Sequence, residues 1–269
     1  MDQLSNESEK EMSFLEHLEE LRWHLVRASI AIAVFAIAAF VSKSFVFHTV
    51  ILGPSRPDFF TYQMLCKLGE LMNTPLICID ELPFIIQSRQ MTGQFTMHIS
   101  SSLVIGLICS FPYVFWEIWR FVSPGLYFTE KRAARGATFF VSVLFISGVL
   151  FGYFIISPLS INFLANYQLD QSILNEFDII SYVSTVSMLV LASGLMFQLP
   201  IVIYFLSTAG LVTPALMRRY RRHAIVVILV VSAIITPPDL MSQILIALPL
   251  IVLYQISIFI SKIVTSKKE

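Results

Sequence analysis

Long apolar segments separated by short polar breaks organise most of the chain. Six of these segments predict membrane spans, and they cover residues 25–47, 97–115, 136–157, 179–211, 224–236 and 242–260. A helix needs about 20 residues to cross a bilayer core of about 30 Å. The breaks between the segments carry turn-forming residues, as in "SPGLY", "LVTPA" and "TPPD". The pattern therefore predicts an all-α polytopic membrane protein with six transmembrane helices.

Three of the predicted spans are irregular. The fifth, residues 224–236, has 13 residues and reaches about 20 Å at 1.5 Å per residue, and the sixth, residues 242–260, is interrupted by Pro249. The fourth, residues 179–211, is over-long and contains Pro200, which removes a backbone hydrogen bond and predicts a kink. A short span must thin the bilayer, oligomerise or pack against another element.

The composition agrees with a membrane protein. Hydrophobic residues make up 56% of the 269 residues and charged residues 13%, against about 25% charged residues in soluble domains. The formal net charge is zero, so no overall basic charge favours nucleic acid. Residues 1–20 hold seven acids and one base, which is atypical of a secretory signal or a transit peptide. We therefore expect residues 1–24 to be a cytoplasmic amphipathic arm.

Lysine and arginine are divided unevenly between the two predicted sides of the membrane. Fourteen of the 18 lie on the side that holds the N-terminus, the loops after the second and fourth spans, and the basic tail, residues 261–269. The positive-inside rule places both termini in the cytoplasm. Residues 48–96 then form an external loop, which we expect to fold into short helices. Cys66 and Cys78 lie in this loop and can pair in an oxidising compartment, although two unpaired thiols are an open alternative.

Motifs of intramembrane enzymes are absent from the sequence. There is no G-x-S-x-G turn, HExxH or CxxC, and His24 occupies the arginine position of the protease motif that "EELRWH" begins to match. We expect no catalytic residue, metal or cofactor. Few ionisable side chains lie inside the spans, which disfavours an ion-coupled carrier, but a small-solute channel or secondary transporter remains the alternative. Glu117, between Trp116 and Trp119, is interpreted as part of an interfacial belt.

The polar side chain placed deepest in the spans is Gln198, two residues before Pro200. A buried amide costs free energy unless it finds hydrogen-bond partners. We therefore expect Gln198 to face a protein surface or a water-lined one.

Acidic residues on the predicted cytoplasmic face are unexpected, because topology favours bases there. Glu16, Glu19 and Glu20 directly precede the first span, and Glu130 lies among bases in the loop after the second. Carboxylates on such a face suit a cationic ligand, and arginine binds a carboxylate through two parallel hydrogen bonds. A solvated acidic start of a helix is the alternative for the N-terminal three.

Five segments, in order, resemble the TatC family, the multispanning receptor subunit of the twin-arginine (Sec-independent) protein translocase. They are "FLEHLEELRWHL", "WRFVSPGLYFTEKR", "GYFIISPLSINFLANY", "SYVSTVSMLVLASGLMFQLPIVIYFL" and "ITPPDLMSQILIALPLIVLYQI". The resemblance implies a curved wall of six helices with short fifth and sixth spans, in a bacterial inner membrane. It also implies binding of twin-arginine signal peptides, and export of folded precursor proteins with single-span TatA- and TatB-type subunits and further copies of the chain, driven by the proton-motive force.

The resemblance also implies two sets of site residues. The positions that match the family's signal-peptide site are Glu20, Arg22, Phe121, Pro124, Leu126, Glu130 and Arg132. Those implied to contact partner helices are Gln198, Pro200, Asp239 and Gln243. The family usually has glutamate where this chain has Gln198, so a mechanism that needs a charge there is not expected for this chain.

Overall fold

Helices account for most of the described part of the chain. The computed structural model describes residues 14–74, 78–79, 81–122, 136–170, 172–235 and 240–266. The helices are α1 Phe14–Val41, α2 Lys43–Phe45, α3 Phe60–Leu71, α4 Gly93–Val122, α5 Ala137–Phe151, α6 Ser157–Asn166, α7 Ile179–Met196, α8 Leu199–Thr208, α9 Pro214–Arg219, α10 Arg221–Ile235 and α11 Leu240–Ser266. A π-helical segment, Gly152–Ile156, joins α5 to α6, and another, Val46–Ile51, follows α2.

Several helical stretches are long and apolar enough to cross a membrane. Within the described ranges there are five: Glu19–Val41, Gly93–Val122, Thr138–Asn166, Ile179–Thr208 and Gln243–Ser266. They overlap the first four predicted spans and the sixth. Because many of their apolar side chains face outward, where lipid would cover them, the chain is a multi-pass helical membrane protein, as predicted. The count of six remains a prediction, since α10 has 15 residues and reaches only about 22 Å.

The last helix is longer than the sequence predicted. We expected a short span over residues 242–260 that Pro249 interrupts, and this expectation is wrong. Helix α11 has 27 residues and continues through Pro249, which gives a length of about 40 Å. A proline removes one amide donor from a helix, and neighbouring helices in a membrane protein can compensate for the freed backbone groups.

A small parallel sheet joins two segments that the sequence assigned to one side of the membrane. Strand β1, Ile85–Gln87, pairs with β2, Glu176–Asp178, with Ile86 opposite Phe177. The prediction for the external loop included only short helices, so this strand was missed. The side chain of Asp178 then accepts a hydrogen bond from the amide of Ile180 at 3.1 Å and caps α7.

A disulfide and a buried tyrosine stabilise the segment that precedes β1 in the chain. Cys66 and Cys78 form a disulfide, with their Cα atoms 4.1 Å apart. The Tyr62 side chain is fully buried, and its hydroxyl lies 3.0 Å from the carbonyl oxygen of Pro54 and 2.8 Å from that of Pro158. Burial raises the pKa of Tyr62 well above its ordinary value, so the hydroxyl stays a donor that ties α3 to α6.

Close helix packing positions the two helices that carry the predicted peptide site. Helix α1 packs along α4, and a Cβ atom built on Gly106 of α4 would lie only 2.7 Å from the backbone nitrogen of Ala36 on α1. Only glycine allows this approach. The buried core divides into one group around Met97 and Val183, which joins α1, α4 and α7, and a second around Leu189 and Leu250, which joins α7 and α11.

Candidate functional site

The first turns of α1 carry two of the predicted site residues. Arg22 pairs with Glu19, with 3.5 Å between the guanidinium nitrogen and the carboxylate oxygen, and both side chains are largely exposed. The guanidinium of Arg22 also lies over the ring of Trp23. Glu20 is half-buried, and among the described residues no hydrogen-bond or ion-pair partner is found for its carboxylate. An exposed ion pair such as Glu19–Arg22 contributes only about 0–1 kcal/mol. Of the two acids in these turns whose side chains the structure describes, Glu20 is the one without a partner, and its carboxylate is available to a ligand.

The end of α4 brings Phe121 to the same place. The rings of Phe121 and His24 have their centroids 6.2 Å apart. His24 follows Glu20 by one helical turn, and residues four apart share a face of a helix. The structure therefore brings Glu20 and Phe121 to the same end of the α1–α4 pair, whereas Arg22, two residues from Glu20, lies on another face of α1.

Four of the predicted peptide-site residues belong to the loop after α4. Pro124, Leu126, Glu130 and Arg132 lie outside the described residues, as does Asp239 of the predicted partner-contact set.

A buried hydrogen bond between a histidine and a glutamate lies directly behind the site, and the sequence did not predict it. Nδ1 of His24 is 2.5 Å from Oε2 of Glu117, and Oε1 of Glu117 accepts a hydrogen bond from the hydroxyl of Tyr113 at 2.7 Å. Glu117 is 1% exposed and His24 6% exposed. The interpretation of Glu117 as an interfacial belt residue is therefore wrong.

A periodic signal in the sequence could have indicated that Glu117 is buried. Ser102, Gly106, Ser110 and Glu117 are spaced by four, four and seven residues, and all four are buried on α4. Such spacing places them on one face of a helix. Small residues on that face predict close contact with another helix, and Glu117 continues the same face.

Gln198 lies at a break between two helices. Helix α7 ends at Met196, and α8 begins at Leu199 with the buried Pro200 in its first turn, where the sequence predicted a kink. The Gln198 amide nitrogen donates to the carbonyl oxygen of Val141 at 3.2 Å. Its Oε1 is buried and has no hydrogen-bond partner within the described ranges. The side chain therefore keeps one buried acceptor that no described residue satisfies.

Gln243 makes a hydrogen bond to a different helix from the one that Gln198 contacts. Its Nε2 donates to the carbonyl oxygen of Leu229, 3.1 Å away, and so links α11 to the short helix α10. Gln198 bonds to α5 instead. The hydrogen bonds of the two glutamines are thus made to different helices.

Comparisons with known proteins place the chain in a family. A model of the family described as "Sec-independent protein translocase protein (TatC)" matches residues 16–249. The TatC proteins of Blattabacterium sp. subsp. Periplaneta americana and Aquifex aeolicus are 38% and 35% identical to this chain over 260 residues, and each alignment covers 96% of this chain and 98% of the relative.

Solved structures agree with this assignment. Two crystal structures of the twin arginine translocase receptor TatC, one of them in DDM, are each 33% identical to this chain. The TM-scores are 0.68 and 0.71, over 93% and 91% of this chain and 100% and 99% of those chains. Since the family model and these relatives all span most of its length, the chain belongs to the TatC family and is a multi-pass subunit of the Sec-independent protein translocase.

Proposed function

We propose that this protein binds the twin-arginine signal peptides of folded precursor proteins at the cytoplasmic ends of α1 and α4. The observation that carries the proposal is the half-buried residue Glu20, whose carboxylate has no partner among the described residues and which lies at the same end of the helix pair as Phe121. A guanidinium satisfies such a carboxylate with two charge-assisted hydrogen bonds. Phe121 supplies apolar surface beside it, and the loop residues Pro124, Leu126, Glu130 and Arg132 complete the proposed site.

The proposal includes assembly with partner helices. Gln198 is half-buried at the α7–α8 break, and its Oε1 has no hydrogen-bond partner within the described ranges. A local rearrangement that opens this break would let Oε1 accept a hydrogen bond from a single-span TatA- or TatB-type subunit, and this supports a contact there. An unsatisfied acceptor costs about 1–3 kcal/mol when it is buried, so a partner that satisfies it gains stability. Pro200, Asp239 and Gln243 belong to the same proposed contact region, and further copies of the chain complete the translocase, which the proton-motive force drives.

We further propose a bacterial inner-membrane location with both termini in the cytoplasm. The excess of lysine and arginine on one predicted side supports this orientation. Pairing of β1 with β2 agrees with the predicted arrangement of the loops, because paired strands lie on one side of a membrane and both segments are predicted to be on the same side.

Binding of a labelled twin-arginine peptide to the protein in nanodiscs tests the peptide site. The comparison peptide carries two lysines in place of the arginines. The arginine peptide is expected to bind more tightly, because lysine cannot form the paired hydrogen bonds. Glu20→Gln should weaken its binding by about 1.5–3 kcal/mol, the contribution of hydrogen bonds to a charged group.

Glu19→Gln is the matched control, since it removes a neighbouring charge that is exposed and already paired with Arg22. It should change the affinity by less than about 1 kcal/mol. An equal loss in both variants would mean that the peptide responds only to overall charge. Unchanged binding in Glu20→Gln would refute the assignment of Glu20.

A further inference from the structure

The buried pair of His24 and Glu117 lies one helical turn inside the proposed peptide site on both helices. On α1, His24 follows Glu20 by four residues, and on α4, Glu117 precedes Phe121 by four residues. Each member of the pair therefore shares a helix face with a proposed site residue. The 2.5 Å contact between Nδ1 and Oε2 fixes α1 against α4 directly behind that site.

Close packing by itself does not require a polar pair at this position. Further along the same face of α4, contact with α1 is made by small residues, such as Gly106 against Ala36. Burying ionisable side chains costs free energy, and replacing a buried pair of this kind by apolar residues of similar volume is often neutral or stabilising. A hydrogen bond differs from apolar contact in being directional. The pair can therefore fix both the distance between the two helices and the rotation of each helix about its own axis.

We propose that His24 and Glu117 are positioning residues that hold Glu20 and Phe121 in the arrangement that recognises paired arginines. This inference rests on the proposed function. Tyr113 assists from within α4, because its hydroxyl donates to the other oxygen of the Glu117 carboxylate. The carboxylate is thus held from two directions and has little freedom to rotate.

Three variants distinguish positioning from general support of the fold. His24→Leu leaves the Glu117 carboxylate buried without its partner on α1, so stability and peptide affinity should both fall. The double variant His24→Leu/Glu117→Met removes both polar partners, so stability should return while the directional bond stays absent. His24→Asn keeps an N–H donor close to the position of Nδ1 and should retain the affinity.

The readouts are the apparent melting temperature and the dissociation constant of the labelled twin-arginine peptide. In the double variant the melting temperature should match that of the parent, while the dissociation constant stays raised about tenfold, the size of one lost hydrogen bond to a charged group. Recovery of the parent affinity by the double variant would overturn the proposal, because apolar packing would then serve equally well. Unchanged affinity in His24→Leu would also overturn it.

A distance measurement separates this inference from the proposed function. Spin labels at Val26→Cys and Ile118→Cys, both exposed positions on α1 and α4, report the spacing of the helices without peptide. The background is Cys109→Ser, which removes an exposed free thiol. The distance distribution should be narrow in the parent and in His24→Asn, and broader in His24→Leu and the double variant. Equal widths would overturn the positioning role. A parent that fails to prefer the arginine peptide would instead refute the proposed function and, with it, the link to arginine recognition, while a narrow distribution would still show that the pair fixes the helix spacing.

Discussion

Replacing Gly106 by leucine tests whether the close approach of α1 and α4 underlies the site. A Cβ atom at residue 106 would lie 2.7 Å from the Ala36 backbone nitrogen, whereas ordinary contacts begin at 3.4 Å, so the helices must separate by about 0.7 Å. The obstructing atom belongs to the backbone and cannot rotate away. Overpacking of this kind costs about 1–3 kcal/mol, which exceeds the gain of somewhat under 1 kcal/mol from removing a helical glycine.

The assay is the apparent melting temperature of the purified protein, followed by fluorescence-detected size-exclusion chromatography. A loss of 1 kcal/mol lowers the melting temperature by about 2–4 °C in proteins of 150–250 residues, so Gly106→Leu should melt several degrees below the parent. Leu103→Phe is the control, because it adds bulk to an exposed position of the same helix. If Gly106→Leu and Leu103→Phe melt at the same temperature as the parent, the tight α1–α4 contact is not a determinant of stability.

Three further perturbations act on other parts of the fold. Cys66→Ser/Cys78→Ser opens a disulfide that closes a loop with a sequence separation of 12, and should lower the free energy of unfolding by about 2–4 kcal/mol, measured by thermal melting without reductant. Asp178→Ala removes the cap of α7 and should cost about 0.5–2 kcal/mol, seen as faster amide exchange at the start of that helix. Gln198→Leu removes the side-chain amide at the α7–α8 break, and should reduce co-purification of a TatA- or TatB-type subunit while leaving peptide affinity unchanged.

Each of these three expectations has a contrary result. An unchanged melting temperature after loss of both cysteines would mean that the disulfide adds no stability to the segment that α3 already orders. Equal exchange in Asp178→Ala would show that the α7 terminus is held by the β1–β2 pairing instead. Equal recovery of the partner subunit with Gln198→Leu would leave Gln198 as a packing residue.

Apolar runs and helix breakers determined which parts of the fold were predictable. The segments around Ile179 and Met97 needed only local hydrophobicity to be recognised as membrane helices, and Pro200 marked the α7–α8 break. Pro249 was misread because the same local signal does not say whether neighbouring helices compensate for a missing amide. Pairing of β1 with β2 joins residues about 90 positions apart, and no local pattern in three-residue strands encodes that partner.

Site residues that stand out individually in the sequence could be predicted. Contacts between residues that lie far apart in the chain could not. Glu20 stood out because an acid at the cytoplasmic entrance of a span breaks the usual charge pattern. Glu117 lies between two tryptophans in the sequence, and this local setting is typical of a membrane interface. Its burial follows from His24, 93 residues away, and only the small-residue face of α4 hinted at it.

Photo-crosslinking can show where on this protein the arginine pair of a bound precursor lies. A folded precursor with a photoreactive residue next to its two arginines is bound to the protein in nanodiscs, and the adducts are mapped by mass spectrometry. We expect adducts on the first turns of α1 around Glu20 and at the end of α4 around Phe121, and we expect these adducts to be lost when the arginines are replaced by lysines. Adducts on the α3 region, or adducts that the lysine precursor forms equally well, would contradict the proposed peptide site.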